Sequence, residues 1–466
     1  MPVKLVPQTI SRIDKLLLDR DAARPDESRE RRASRALGIA VGDDAMNSYG
    51  LQLALLTAVN LSARTFGNST TVYLSADLAD CRNRVPVARG VTLREAIVDL
   101  GGQVETAVAV TDERPYLLLG NVEPVGRALR VTFDGWKIAV GPALELGRMK
   151  ERGYCPLAGA AAAAIGLEEV FAEFASINIM ATRRVVITSL WRPDLEGADP
   201  DGVGEPITEV PNELAVFGLG HLGQAYLWAY VALCHPDPAT AKVMMCDDDA
   251  LELPNLETGA IASAHWLGEP KTRMAAQWLE ERGYRTRLLE RFIDGRFQRI
   301  DRDPSVALSG FDDNCPRRWL SAASFAAMFD SGLGAEAFNF DTIAYRGWPN
   351  SRPAADLWPI ETDDELKARE ARRRKILADG GYDDLGEDEC GRLRLAEKSV
   401  AVPFVGMYAA CTVLAEVLKA INGGPVFSEI KLRLCSLNTS ASPARLAAEH
   451  AAPVRGATLQ AARADW

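Results

Sequence analysis

A chain of 466 residues, 47% of them hydrophobic, can bury a sizeable core and is long enough for two domains. Its formal charge of -11 excludes a general nucleic-acid binder, because affinity for a polyanion comes from clustered Lys and Arg, but it leaves room for a specific phosphate site. Eight cysteines, at positions 81, 155, 234, 246, 315, 390, 411 and 435, include no C-x-x-C pair, which argues against a zinc ribbon and a secreted disulfide framework; no zinc is expected.

The opening MPVKLVPQTISRIDKLLLDR lacks the apolar stretch and cleavage site of a secretory signal. No segment reads as apolar for long enough to span a bilayer, and the Ala-rich stretch 156–167 reads as a packed helix, so the expectation is a cytoplasmic protein with no membrane partner. Leu37–Val41 is a short apolar run ending at Gly42, followed by a helical stretch over about 47–66 and a strand at 71–74, a β-α-β pattern. Tyr116–Leu119 and the alternating run 129–140 predict further strands, and Leu157–Phe174 a helix. The stretch RPDLEGADPDGVGEPITEVPNE, rich in Pro, Gly and acid, predicts a solvated linker, giving domains at 1–195 and 213–466 with 196–212 between them.

The second half restarts the pattern: strand 214–217, a glycine turn, helix 221–234, strand 243–246 and helix 271–282. The fold class is therefore α/β, with two Rossmann-like domains in tandem as divergent copies of one unit. In the first copy the turn is GDDAMNSYG, which lacks a G-x-G-x-x-G spacing and marks that half as degenerate. The charge run ETDDELKAREARRRK and the acidic loop after it predict a solvated helix and loop; as 361–395 they also fit a mobile segment crossing an active site. Residues 399–421 read as an apolar helix ending at Gly423.

Gly218, Gly220 and Gly223 form G-x-G-x-x-G after a strand and at the start of a helix, where backbone can approach a phosphate and unpaired N–H groups point at it. Alone, this suits a nicotinamide dehydrogenase equally well. The next strand ends in Asp247, Asp248 and Asp249, an acidic end that binds ribose hydroxyls in both classes.

The stretch that follows, DDDALELPNLETGAIASAHWLGEPKTRMAAQWL, resembles the pattern D-x-D-x-V-x-x-S-N-L-x-R-Q, spacer, G-x-x-K of the ThiF/MoeB/ubiquitin-activating superfamily, and GFDDNCPRRW resembles its aspartate-asparagine motif. The resemblance implies Asp247 and Asp249 at the nucleotide's ribose side, Asn255 at the phosphates, Lys271 at the triphosphate, Asp313 as magnesium ligand and Asn314 beside the nucleotide. A lysine and a magnesium-bearing carboxylate are what an ATP α-phosphate needs when a carboxylate attacks it. The bland alternatives make Lys271 a surface helix residue and Asp313 a helix cap. Thr258 departs from the pattern, standing where the family has arginine. Arg273, Arg317 and Arg318 are nearby candidates to replace it, and Arg12 is the candidate for the arginine that reaches in from the partner domain, in competition with the basic cluster 29–35.

ECGRLRLAEKSVAVPFVGMYAACTVL resembles the C-terminal segment of ThiF-like activating proteins, in which a Cys-Gly pair precedes an apolar helix entry, and this points to Cys390. A thiol in a polar loop can attack an acyl-adenylate and hold the acyl group as a thioester. Glu387, Asp388 and Glu389 work against its ionisation, so Arg392, Arg394 or another group has to activate it. Cys315 is the runner-up. Cys234, Cys246, Cys411 and Cys435 read as core residues, and His221 and His265 as loop or surface histidines.

The resemblance implies a ubiquitin-activating-like enzyme of bacterial type, using ATP and Mg2+ to adenylate the Gly-ended tail of a ubiquitin-like protein and transfer it to Cys390, for delivery to a conjugating enzyme. It also implies a pseudo-dimer within the chain, with a homodimer of such chains as a further expectation. The alternatives are a ThiF-like adenylator in sulfur transfer, peptide or tRNA modification, and a nucleotide-binding scaffold without chemistry.

Overall fold

The structure, a computed structural model, describes residues 11–463 apart from 22–26, 28–29, 31, 33–34, 68–69, 107–115, 125–126, 380–398, 437–438, 444–453 and 455. In the first half, β1 (Leu37–Val41), β2 (Thr70–Tyr73), β3 (Gln103–Glu105), β4 (Tyr116–Leu119), β5 (Ala128–Asp134), β6 (Lys137–Pro142) and β7 (Val186–Ser189) form one sheet in the order 3-2-1-4-5-6-7. Strands β1 to β5 run parallel, whereas β6 and β7 join antiparallel. The alternating run 129–140 is thus a hairpin, turned at Gly135 with φ +65°.

A short strand β8 (Glu209–Pro211) precedes the second sheet, which contains β9 (Glu213–Phe217), β10 (Lys242–Cys246), β11 (Arg285–Leu289), β12 (Val306–Ser309), β13 (Ala327–Leu333), β14 (Thr342–Trp348), β15 (Phe427–Arg433) and β16 (Thr439–Pro443) in the order 11-10-9-12-13-14-15-16. The first five strands in that order run parallel, and the remaining three join antiparallel. Both halves therefore share one topology, with the strand order reversing beside their first strand. In such sheets ligands bind where that reversal opens a crevice at the carboxyl ends of the strands.

The two halves share a core. Tyr49–Phe66 is held at its start by the Ser48 hydroxyl, which accepts from Leu51 N, and stopped by Gly67 in the left-handed region at φ +71°. Its small residues, with those of the Ala-rich helix Leu157–Phe174, let the two pack closely: a Cβ on Gly159 would lie 2.5 Å from the Gly50 carbonyl oxygen. Helix Leu157–Phe174 packs in turn on Pro403–Asn422, which packs on His221–Val231 of the second half. Tyr49 donates to the Ala232 carbonyl (2.7 Å) and Trp228 Nε1 to the Thr57 hydroxyl (3.3 Å), so the seam also carries directed bonds. By length and composition Pro403–Asn422 could cross a membrane, contrary to the sequence reading, but it is almost wholly buried as a core helix of this seam.

The stretch assigned to a linker is pinned down. The backbone N–H and the Nε1 of Trp136 donate to the carbonyls of Val203 and Glu205, and β8 pairs antiparallel with β17 (Leu459–Ala461). The charge run forms helix Asp363–Asp379, whose described side chains are mostly exposed.

Candidate functional site

The crevice of the second half lies between the ends of β9 and β12. Gly218 N–H donates to Cys246 O and Gly310 N–H to Phe217 O, each at 2.8 Å, which aligns the two loops that leave these strands. Gly218 takes φ +77°, a conformation that favours glycine, and a Cβ on Gly223 would sit 1.8 Å from the Gly218 carbonyl oxygen, so both glycines are required for the turn to fold onto the helix His221–Val231. Gly220 differs, since a Cβ there meets nothing within 4 Å. It leaves the backbone open to a ligand at the helix start.

Asp247, at the end of β10, accepts from Leu219 N and from Asp249 N (2.8 Å). Burial pushes its carboxyl above the usual range, while the Lys271 ammonium and these two N–H groups pull it back. Lys271 Nζ lies 2.6 Å from Asp249 Oδ2 and 3.9 Å from Asp247 Oδ1, with its side chain only 8% exposed. The surface-helix reading of Lys271 is therefore overturned, because the first residue of Lys271–Glu280 turns inward to the acidic loop. Carboxylate oxygens of Asp247, Asp248 and Asp249 come within 4.8 Å of one another, so this loop could itself hold a cation.

Asn255 is buried at the start of the turn Asn255–Thr258, where its Oδ1 accepts from Glu252 N (2.9 Å). Gln224 joins this turn to the glycine loop, since its Nε2 donates to Leu219 O (3.1 Å) and its Oε1 accepts from Ile261 N (3.4 Å). Thr258 is 1% exposed and packed within the protein.

Asp313 caps helix Asn314–Ser321 through a bond from Cys315 N to its Oδ1 (2.7 Å), and its side chain lies at the surface. The cap reading is thus geometrically correct, and it occupies one carboxylate oxygen. Asn314 is drawn to the other side: its Nδ2 donates to Pro359 O (2.8 Å) and its Oδ1 accepts from Arg317 (3.2 Å).

Two arginines offered as substitutes at Thr258 are already committed. Arg317 is buried against Asp330 (3.1 Å) and donates to the carbonyls of Phe311 and Ser331, and Arg273 pairs with Glu290 (2.8 Å). Both expectations are corrected, because each guanidinium has structural partners that hold it. Arg32, from the basic cluster, is enclosed by Asp14 (3.0 Å) and Glu257 (2.9 Å).

Arg12 behaves differently. It comes from the N-terminal helix Arg12–Asp21, donates weakly to the Ser399 hydroxyl (3.4 Å) and leaves a buried Nε without a partner. Burial lowers its pKa, opposed by the charges of Asp312, beside Asp313, and Glu252, ahead of the Asn255 turn. Arg12 thus comes from the other half to within electrostatic reach of both loops and of His221, the first residue of the crevice helix. His221 lies beside it: its Nε2 is buried, and a Cβ on Gly406 would fall 2.2 Å away. Burial first, then the Arg12 charge, pull the imidazole down to about 4, so His221 is a neutral packing group, contrary to its reading as a loop or surface histidine. Cys390 lies outside the described residues. Cys315 is partly exposed next to Asp313.

The corresponding crevice of the first half is closed by its own side chains. Asp44, after β1, accepts from Asn121 N (2.9 Å), which follows β4, and pairs with Arg148. A Cβ on Gly120 would lie 2.6 Å from Asp44 Oδ1, so the carboxylate fills the space at the turn.

Arg64 escaped the sequence reading. On helix Tyr49–Phe66 it donates to the carbonyls of Leu256, Ala260 (3.2 Å) and Ala262 (3.0 Å) in the other half. A signal was present: Asn60 and Arg64 stand four apart, on one face of the helix, and Arg64 is its one charged residue.

Sequence comparison agrees with this two-part architecture. A profile described as the BilD C-terminal domain matches residues 210–424, and one described as the BilD N-terminal domain matches residues 36–190. Over 407 residues, covering 84% of either chain, the protein is 33% identical to "Bacterial E1-like protein BilD" of Collimonas sp. (strain OK412). Among solved structures, E. coli MccB with AMPCPP and MccA is similar at 14% identity and a TM-score of 0.34, over 50% of this chain and 63% of that one. PaaA is similar at 12% identity and a TM-score of 0.34, over 50% of this chain and 64% of that one. The chain thus spans less than two thirds of these solved chains. The chain belongs to the BilD family of bacterial E1-like proteins.

Proposed function

We propose that this protein adenylates the C-terminal carboxylate of a ubiquitin-like protein at the second-half crevice, then accepts the acyl group on Cys390 for transfer to a conjugating partner. The observation that carries this reading is the convergence at one crevice of an open glycine backbone at Gly220, the buried Lys271 ammonium beside Asp247 and Asp249, and Arg12 from the other half. Two cations beside the glycine loop suit a triphosphate better than they suit hydride transfer, which needs neither.

The donor set fits Mg-ATP as substrate. Backbone N–H groups at the start of His221–Val231 suit phosphate oxygens, Asp247 suits ribose hydroxyls, and the free oxygen of Asp313 or the acidic loop 247–249 suits the cation, which when bound neutralises phosphate charge. Lys271 and Arg12 stabilise the charge that gathers as the substrate carboxylate oxygen bonds to the α-phosphorus and the bond to pyrophosphate breaks. A cysteine thiolate then attacks the acyl carbon and AMP leaves, forming a thioester. With the first-half crevice filled by Asp44, one nucleotide is bound per chain.

The deciding experiment incubates the protein with Mg-ATP and a Gly-ended ubiquitin-like candidate, following ATP–pyrophosphate exchange and any reducible adduct. Cys390→Ala is expected to lose the adduct and retain exchange; an adduct that survives this change sinks the assignment of Cys390. Arg12→Ala is expected to slow exchange by about 100-fold with the fold intact, the order seen when one preorganised donor is removed from a reacting centre. Exchange at the unaltered rate would remove Arg12 from the site.

A second reading, a nucleotide-binding scaffold, is favoured by one observation: Thr258 is buried and packed where the resembling pattern has arginine, so the phosphates have fewer cations. Absence of exchange with every Gly-ended candidate supports it.

A further inference from the structure

Arg64 is a cation sent from one half into the backbone of the other. Its Nη1 donates to Leu256 O and its Nη2 to Ala260 O and Ala262 O, while its Nε donates to Asn60 Oδ1 (2.9 Å), whose Nδ2 in turn donates to Ala260 O (3.0 Å). These carbonyls belong to the turn that begins at Asn255 and passes Thr258. Among the described residues no carboxylate pairs with Arg64, and burial pulls its guanidinium down to about 10, which leaves it charged at neutral pH. Charge-assisted bonds to carbonyl oxygens are therefore its only compensation.

Ala260, Ile261 and Ala262 anchor the end of this turn in the core. Its side toward Arg64 is less closely filled: a cavity of about 420 Å³ borders Leu256 and Glu257, and another of about 180 Å³ borders Ala260, Ile261 and Ala262; Arg64 lines both. On that side the hydrogen bonds from Arg64 and Asn60 add directed contacts to the packing. The turn also reaches the glycine loop, because Gln224 bonds Ile261 N on one side and Leu219 O on the other.

We propose that Arg64 is a positioning residue for the nucleotide: from the first half it fixes the turn that carries Asn255, and through Gln224 the glycine loop. The proposal rests on the adenylation reading. With threonine at position 258, Asn255 is what this turn offers the phosphates, so its placement matters more than where an arginine assists. The guanidinium meets these three carbonyls and Asn60 Oδ1 from three separate nitrogens, whereas a lysine ammonium offers three N–H donors from a single point, so lysine cannot reproduce the set.

The test is equilibrium binding of a non-hydrolysable ATP analogue with Mg2+ to the full chain, together with amide hydrogen exchange. Arg64→Lys, which keeps the charge and the stem, is expected to weaken binding by about tenfold, and Arg64→Ala by more. Exchange should accelerate at 256–262 in Arg64→Lys without nucleotide, while β9 and β10 keep their protection. If Arg64→Ala does not fold, Arg64→Lys carries the test by itself. Binding by Arg64→Lys within twofold of the unaltered chain, or unchanged protection at 256–262, overturns this inference alone. Failure of the unaltered chain to bind overturns the adenylation reading and this inference with it.

Discussion

Lys271→Ala is expected to lower ATP–pyrophosphate exchange by about 1,000-fold, the upper end of what removing one preorganised donor costs. The ammonium has a double task. In the proposed reaction it serves as a cation for the triphosphate, and in the structure it neutralises a loop on which three carboxylates stand within 4.8 Å of one another. Its loss leaves that loop as a concentrated negative charge against an anionic substrate. Asp247 gives the sign of the accompanying pH effect. Burial already raises its carboxyl and Lys271 lowers it, so deleting the ammonium raises it further, and the acidic limb of the residual activity moves to higher pH. A variant with unchanged exchange, or an acidic limb moving to lower pH, would contradict this role.

Asp313→Asn is expected to lower exchange by about 100-fold and to raise the Mg2+ concentration needed for half-maximal rate, with little change in thermal stability. Asparagine caps a helix about as well as aspartate, so the bond from Cys315 N survives and only the charge is lost. Asp313→Ala removes both, adding a stability cost of about 1 kcal/mol. Comparing the pair separates the carboxylate's two tasks. If Asn behaves as the unaltered protein and only Ala is impaired, Asp313 is a cap and the metal is held by the 247–249 loop.

Much of the architecture was legible because it is periodic. Apolar strands alternating with helices disclosed both α/β halves, and the glycines at 218, 220 and 223 placed the crevice at a strand end. Lys271 and Asp247, 24 positions apart in the sequence pattern, do meet in space. What stayed hidden depends on tertiary partners that no local pattern names. Nothing local distinguishes Arg317, buried against Asp330, from Arg318 beside it, and neither spacing nor polarity reveals that Arg273 is occupied by Glu290. His221 was misread for the same reason: its burial is created by Gly406, 185 residues away, which leaves room for the ring. Arg64 looked like an ordinary polar residue because its partners are carbonyl oxygens, which every residue carries.

The seam between the halves has a mechanical consequence. Buried residues of both halves, from Ile13 to Leu434, form one continuous cluster, so bending one half against the other would expose apolar packing to water. Such a joint behaves as a rigid chassis, and opening it is equivalent to unfolding. Movement at the crevice is therefore expected from parts mounted outside that chassis, such as the solvent-exposed helix Asp363–Asp379, ahead of which Asn314 donates to the Pro359 carbonyl.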